Sequence, residues 1–284
     1  MPYSLRRYRN RQTSAMASLS ELRRKLATLR LHRVRNSSNC SHIFIIGPPR
    51  SGTTLLHKIM VSNSKVVGPE TETYFFCRRQ YATIHVPEIP HVKMQHHLNS
   101  SIDKIDLFDK IAAEFTNNCY TFCEKTPEHA LVLDSLLQYF PKSYFVFMVR
   151  DPRDGWLSLK RNPVASTQTG TNFPRLWASS VFQFQRFEYN PRICLVKYED
   201  LCSNPVESLK HICGFMRLDF EQDQLDPEIY SQNRFSSLSG HTRLNERITD
   251  QTVYRWRFEL DAKERKWIES IAGNAISRIG YEIG

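Results

Sequence analysis

The chain has 284 residues, 40% of them hydrophobic, which is enough for one sizeable core and too apolar for a disordered chain. Its formal charge of +10 is unevenly placed: residues 1–40 hold ten Lys or Arg against the single Glu21, so they carry +9 and the rest of the chain about +1. A basic appendage on a near-neutral body argues against nucleic-acid binding. Seven cysteines, an odd number without a C-x-x-C pair, fit reduced thiols better than a disulfide framework, and no apolar run reaches the ~20 residues of a membrane-spanning helix.

Within residues 1–40, Met1–Ser14 is Arg-rich and reads as disordered. Leu19, Leu22, Leu26, Leu29 and Val34 then recur at helical spacing, which predicts a helix over Ser18–Val34. An Arg- and Ser-rich, nearly acid-free segment of this kind reads as a packed helix or solvated tail, as an organelle transit peptide, or as a weak contact with an anionic membrane surface. A cytoplasmic protein is the default expectation, with residues 41–284 as one folded domain.

The first strong pattern is His42–Met60. The β-branched and aromatic run Ile43–Ile46 predicts a buried strand, Gly47-Pro48-Pro49-Arg50-Ser51-Gly52 a tight turn, and Leu55, Leu56, Ile59 and Met60 a helix. A strand, a glycine-bearing loop and a helix in that order make an anion site, because the first helical N–H groups lack partners and point into the loop with the helix dipole. The glycine spacing is that of a Walker A loop, but Thr53 stands where that loop's lysine belongs and the fixed cation is Arg50 inside the turn. That favours an anionic nucleotide held without a metal-bridged triphosphate.

Val66-Val67-Gly68 predicts a short second strand, followed by two acids, Glu70 and Glu72, that periodicity alone does not separate. Residues 77–101 read as an irregular lid or acceptor-facing insertion; its His85, His91, His96 and His97 fit no metal-ligand spacing, so no metal site is expected. Ser101 is the expected cap of a helix through Phe115. Tyr120–Glu124 predicts a strand ending at Lys125, with Thr126 as N-cap and Pro127 as first helical residue. Lys125 is either a ligand-facing cation or a surface lysine paired with Glu124 or Glu128, and His129 reads as a helix-face residue.

The second strong pattern is Ser143–Lys160. The continuous apolar run Tyr144–Val149 is what a central parallel strand buried on both faces requires. Arg150 ends it, Asp151 caps the next helix ahead of Pro152, and Ser158 lies two turns on, so Arg150 and Ser158 could grip one phosphate. A helix around Leu176–Phe187, a strand at Ile193–Lys197 closed by Tyr198, and a helix from Asn204-Pro205 to Phe215 follow. Residues 219–258 are polar and read as a long functional loop, and Lys263–Ile279 as a closing helix.

These strings carry a family resemblance. Pro49-Arg50-Ser51-Gly52-Thr53-Thr54 resembles the 5′-phosphosulfate loop of the sulfotransferases that use PAPS (3′-phosphoadenosine 5′-phosphosulfate), the arginine being similar to the tyrosylprotein-type and bacterial branches. Glu72-Thr73-Tyr74-Phe75-Phe76 resembles the family's catalytic-base segment, and Glu124-Lys125-Thr126-Pro127 its Glu-Lys-[Ser/Thr]-Pro element. Arg150 and Ser158 match its 3′-phosphate pair in type and spacing. Tyr198-Glu199-Asp200-Leu201 resembles its Tyr-Glu-x-Leu. Asn245–Gln251 resembles the tyrosylprotein enzymes and Tyr254–Arg257 a bacterial Arg-Trp-Arg segment.

The resemblance implies a P-loop-like α/β fold, a central parallel sheet with helices on both faces. It implies a catalytic domain over residues 41–284 that moves the sulfuryl group of PAPS to an acceptor hydroxyl and leaves PAP, with no metal required. Arg50, Ser51, Gly52, Thr53 and Thr54 would hold the 5′-phosphosulfate, and Arg150 and Ser158 the 3′-phosphate. Tyr198, Arg255 and Arg257 are further donor contacts, with Thr249 and Thr252 as alternatives in the same loop. Glu72 would be the general base, with Arg50 and Lys125 offsetting charge. Small molecule, sugar and tyrosine all remain open as acceptor. The competing readings are an ATP-dependent P-loop kinase, which needs the missing lysine and an Mg²⁺-holding Asp, and a non-catalytic nucleotide-binding protein, which would not need Glu72 and Lys125.

Overall fold

A computed structural model of the chain describes residues 37–77, 86–117, 120–162, 170–231 and 247–283. The expected helix over Ser18–Val34, with the transit-peptide and membrane-surface readings tied to it, and the expected motif residues Asn245 and Glu246 lie outside the described residues.

Five strands form one parallel sheet: β1 (His42–Ile46), β2 (Val66–Val67), β3 (Thr121–Lys125), β4 (Tyr144–Val149) and β5 (Ile193–Lys197), in the order β2-β3-β1-β4-β5. Every residue of β1 is buried, as expected of a central strand covered on both faces. Strand alternation sends Phe44 and Ile46 to one core layer and Ile43 and Ile45 to the other. The first layer is rich in rings: Phe44 stacks on Phe108 and Phe145, and Phe140 and Phe122 close around Phe108. β1 lies between β3 and β4, with Ile45 opposite Lys125 and Ile46 opposite Phe147. Connections from the carboxyl ends of these strands therefore meet over the centre of the sheet, where open α/β sheets bind ligands.

The helices are α1 (Thr53–Val61), α2 (His91–Ser100), α3 (Lys104–Thr116), α4 (Leu133–Tyr139), α5 (Pro152–Lys160), α6 (Phe173–Gln185), α7 (Tyr198–Ser203), α8 (Pro205–Phe215), α9 (Pro227–Ser231), α10 (Trp256–Glu259) and α11 (Ala262–Arg278), with a 3₁₀ turn over Pro127–Val132. None among the described residues is long and apolar enough to cross a membrane. Three expectations need correction. The stretch read as irregular contains α2, whose Met94 and Leu98 are buried at i,i+4 spacing. Ser101 does not cap the next helix; Asp103 does, accepting from the Ile105 and Asp106 amides. In the described parts of 219–258, residues 219–231 and 247–258, the chain forms α9, α10 and 3₁₀ turns at Gln222–Leu225 and Asp250–Thr252 rather than irregular loop throughout; the rest of that stretch lies outside the described residues.

Candidate active site

The loop after β1 is shaped by three residues with positive φ. Gly47 (φ 149°) approaches the sheet so closely that a Cβ there would lie 2.0 Å from the Met148 carbonyl oxygen. Arg50 (φ 67°) sits in the left-handed region that non-glycine residues seldom occupy, a strain typical of ligand-clamping loops. Gly52 (φ 88°) precedes α1, and a Cβ on it would meet Tyr198 Cδ2 at 2.4 Å. The turn thus aims the N-terminus of α1 and the Arg50 side chain into the same crevice.

Arg50 crosses that crevice. Its Nη2 and Nε donate to Ser158 Oγ on α5 at 3.0 and 3.3 Å, joining the two loops that sequence alone could only list separately. Burial, and next the neighbouring Arg150, push the Arg50 guanidinium below its ordinary pKa, with Glu72 acting the other way. Arg150, at the end of β4, is 5% exposed; it donates to the Thr252 carbonyl oxygen at 2.6 Å and lies 4.3 Å over the Tyr198 ring. The Tyr198 hydroxyl shares a 2.8 Å hydrogen bond with Thr252 Oγ1. Tyr198 is therefore a wall of the site between Gly52 and Arg150. Arg255 is pushed down by burial and then by Arg161, with Arg150 also lowering it, while Glu259, 3.9 Å from its Nη1, and Asp154 act the other way. Arg257 is engaged elsewhere: its partners are Glu282 at 3.1 Å and the Tyr254 and Trp256 rings.

Several polar atoms here lack partners. Ser51 Oγ, Arg150 Nε and Arg255 Nε are buried and make no hydrogen bond. Buried donors left unmade are costly, and guanidiniums gathered against their own repulsion more so, unless an anion joins them. The donor set is that of a polyanion site and fits the two phosphate-bearing ends of a PAPS-like nucleotide.

The chemistry-bearing pair lies beside it. Lys125, at the end of β3, is 4% exposed and donates from Nζ to Glu72 Oε1 at 2.8 Å and to Thr54 Oγ1 at 3.3 Å. The surface reading of Lys125, paired with Glu124 or Glu128, is thereby overturned. Burial would raise the Glu72 pKa, but Lys125 and the hydroxyl of Tyr74 outweigh it and hold the carboxyl below the usual range. Glu72 is thus an ionised acceptor-only carboxylate, the form a general base needs. Glu70 is not placed with these groups; its amide donates to Glu88.

Two further arrangements were hidden from the sequence. Thr126 makes no capping bond; its hydroxyl turns back to the buried Glu124, as does His129, which is fully buried rather than on a helix face. In α5, Asp154 accepts from the Tyr254 and Trp256 amides at 2.7 and 2.9 Å, and the buried Arg153 binds Asp151 and Glu269 and lies 3.5 Å over the Trp256 ring. These contacts clip the late segment, with Thr252 and Arg255, over the Arg150 side of the crevice. The only sequence signal was a charged helix start, Asp151–Asp154. Of the histidines in the stretch weighed for metal, His97 pairs with Glu114 at 2.8 Å.

Residues 42–222 match the model of the sulfotransferase family. The protein-tyrosine sulfotransferase of Drosophila melanogaster is 26% identical over 252 residues, covering 82% of this chain and 48% of the relative, so the chain spans about half that protein's length. In fold the chain is similar to the sulfotransferase domain of the Synechococcus PCC 7002 olefin synthase, with TM-score 0.70, 17% identity, and coverage of 90% of this chain and 100% of that one. It is also similar to mouse sulfotransferase SULT7A1, solved in complex with PAP, with TM-score 0.52, 15% identity, and coverage of 85% and 86%.

Proposed function

The chain belongs to the sulfotransferase family, and on that premise we propose that this crevice takes PAPS as donor and transfers its sulfuryl group to an acceptor hydroxyl. The observation that carries the reading is the convergence of Arg50 and Arg150 on one crevice, with Ser51 Oγ, Arg150 Nε and Arg255 Nε buried and unpartnered. Arg50 and the amides of Ser51, Gly52, Thr53 and Thr54 at the start of α1 hold the 5′-phosphosulfate. Arg150 and Ser158, with Tyr198 as wall and Thr252 and Arg255 above, hold the 3′-phosphate end. That PAP occupies the mouse neighbour supports the same donor here.

In the reaction, the acceptor oxygen forms a new S–O bond while the bond from sulfur to the 5′-phosphate breaks. Glu72 receives the acceptor proton, and Lys125 and Arg50 offset the negative charge that grows on the departing phosphate oxygen. Catalysis is then mainly positioning and preorganised electrostatics. A tyrosine-bearing peptide is the first acceptor probe, since the Drosophila relative bears that activity in its name; p-nitrophenol and a chito-oligosaccharide complete the set. With whichever probe accepts sulfate, Glu72→Gln is expected to lower turnover about 10²–10⁴-fold while PAP still binds. Near-normal turnover in that variant removes Glu72 from the mechanism.

A further inference from the structure

β3 ends in two consecutive charged residues, which strand alternation sends to opposite faces. Lys125 meets Glu72 in the crevice; Glu124 turns into the aromatic layer beneath and is fully buried. Its two oxygens accept from three donors, Thr73 Oγ1 at 2.8 Å, Thr126 Oγ1 at 2.6 Å and His129 Nδ1 at 2.9 Å. Each of those groups also accepts a backbone N–H from the segment just after Glu72: Thr126 Oγ1 from Tyr74 at 3.2 Å, Thr73 Oγ1 from Phe75 at 3.3 Å, and His129 Nε2 from Phe76 at 3.0 Å.

The proton inventory makes this arrangement one-way. A hydroxyl has a single proton, and a neutral imidazole has a single N–H. Each of the three gives its proton to Glu124 and so presents a lone pair to an amide. His129 is therefore the neutral Nδ1–H tautomer, because a second ring proton at Nε2 would face the Phe76 N–H. Three successive amides are thereby fixed through one ionised carboxylate, around a residue, Tyr74, held at φ 50°.

We propose that Glu124 and His129 are positioning residues for sulfuryl transfer, fixing the Thr73–Phe76 segment so that Glu72, the residue before it, is held against Lys125. This rests on the reading of Glu72 as base. Neither residue touches the reacting groups; both act through the backbone that carries the base.

The test uses the full chain and needs no acceptor. Hydrogen exchange across residues 73–77 reports the amides, acetylation by acetic anhydride reports the shielding of Lys125, and exchange in β1 and β4 reports the fold. His129→Leu and Glu124→Gln are expected to speed exchange across 73–77 at least tenfold and to raise Lys125 acetylation severalfold, with β1 and β4 unchanged. His129→Gln, whose amide keeps one donor and one acceptor, is expected to restore both readouts toward wild type. Unchanged exchange across 73–77 overturns the proposal, and so does a uniform rise that includes β1 and β4, since that marks a merely structural role. Should His129→Leu and Glu124→Gln fail to fold, the ¹⁵N spectrum of the wild-type histidines, compared with His129→Gln, decides alone. An unprotonated Nε2 on His129 supports the proposal, and a protonated one ends it. Failure of the base reading shows separately, as Glu72→Gln retaining transfer while the exchange results stand.

Discussion

His57 links the floor of the site to acid stability. It lies on α1, 3% exposed, with Nε2 3.2 Å from the Cys123 carbonyl oxygen. Burial, and next the nearby Lys125 charge, lower its pKa from the ordinary 6.5 to about 4. The folded value is the lower one, so between those limits the unfolded chain binds a proton that the folded chain refuses. Stability is therefore complete above pH 6.5 and is lost as pH falls toward 4. At about 1.4 kcal/mol per pKa unit the whole gap is worth roughly 3 kcal/mol, of which about 2 kcal/mol falls between pH 7 and 5. The perturbation is His57→Gln, which retains an N–H for Cys123 and cannot titrate. Urea unfolding of both proteins at pH 7 and pH 5 isolates His57 from the nine other histidines of the chain, since those are common to both. The wild type should lose about 2 kcal/mol more than the variant on going to pH 5. Equal losses would show that His57 is not held neutral by its surroundings.

Two further perturbations test how the crevice is built. Gly52→Ala combines a φ of 88° with a Cβ 2.4 Å from the Tyr198 ring, so the wall that packs on Arg150 must move; calorimetric PAP affinity is expected to drop at least tenfold in a protein with normal circular dichroism, and unchanged affinity would separate Tyr198 from the donor site. Asp154→Ala orphans the Tyr254 and Trp256 amides, with an expected cost of about 2–4 kcal/mol in unfolding free energy and weaker PAP binding as Thr252 and Arg255 lose their clip; a variant equal to wild type in both would mean the late segment is held by other contacts.

The fold was legible where one pattern dictates one structure. Apolar runs gave β1 and β4, and the change to helical spacing after Gly52 gave α1, because burial on both faces leaves the chain few alternatives. α2 was missed because its buried stripe is only Met94 and Leu98 in a segment otherwise dense with histidine and polar residues. The site was legible as residue types at strand ends, yet not as partnerships. That Arg50 reaches Ser158, and that Lys125 turns from Glu124 and Glu128 to Glu72, depends on the β3-β1-β4 neighbourhood, which no local spacing encodes. Arg255 and Arg257 looked equivalent in the sequence, yet two residues apart on a helical turn they point to different sides, one toward Glu259 and the other to Glu282. The Glu124 hub stayed hidden for the same reason: a buried carboxylate is recognisable only once its donors from residues 73, 126 and 129 are brought around it.

The central claim is a donor site for a 3′,5′-bisphosphorylated adenosine, and isothermal titration of the full chain with PAP, alongside ATP with Mg²⁺, tests it most directly. The proposed function predicts tight PAP binding that is indifferent to Mg²⁺ and abolished by Arg150→Ala, since the guanidinium is proposed to hold the 3′-phosphate. Mg²⁺-dependent ATP binding with no response to PAP would contradict the account and move the crevice to the kinases.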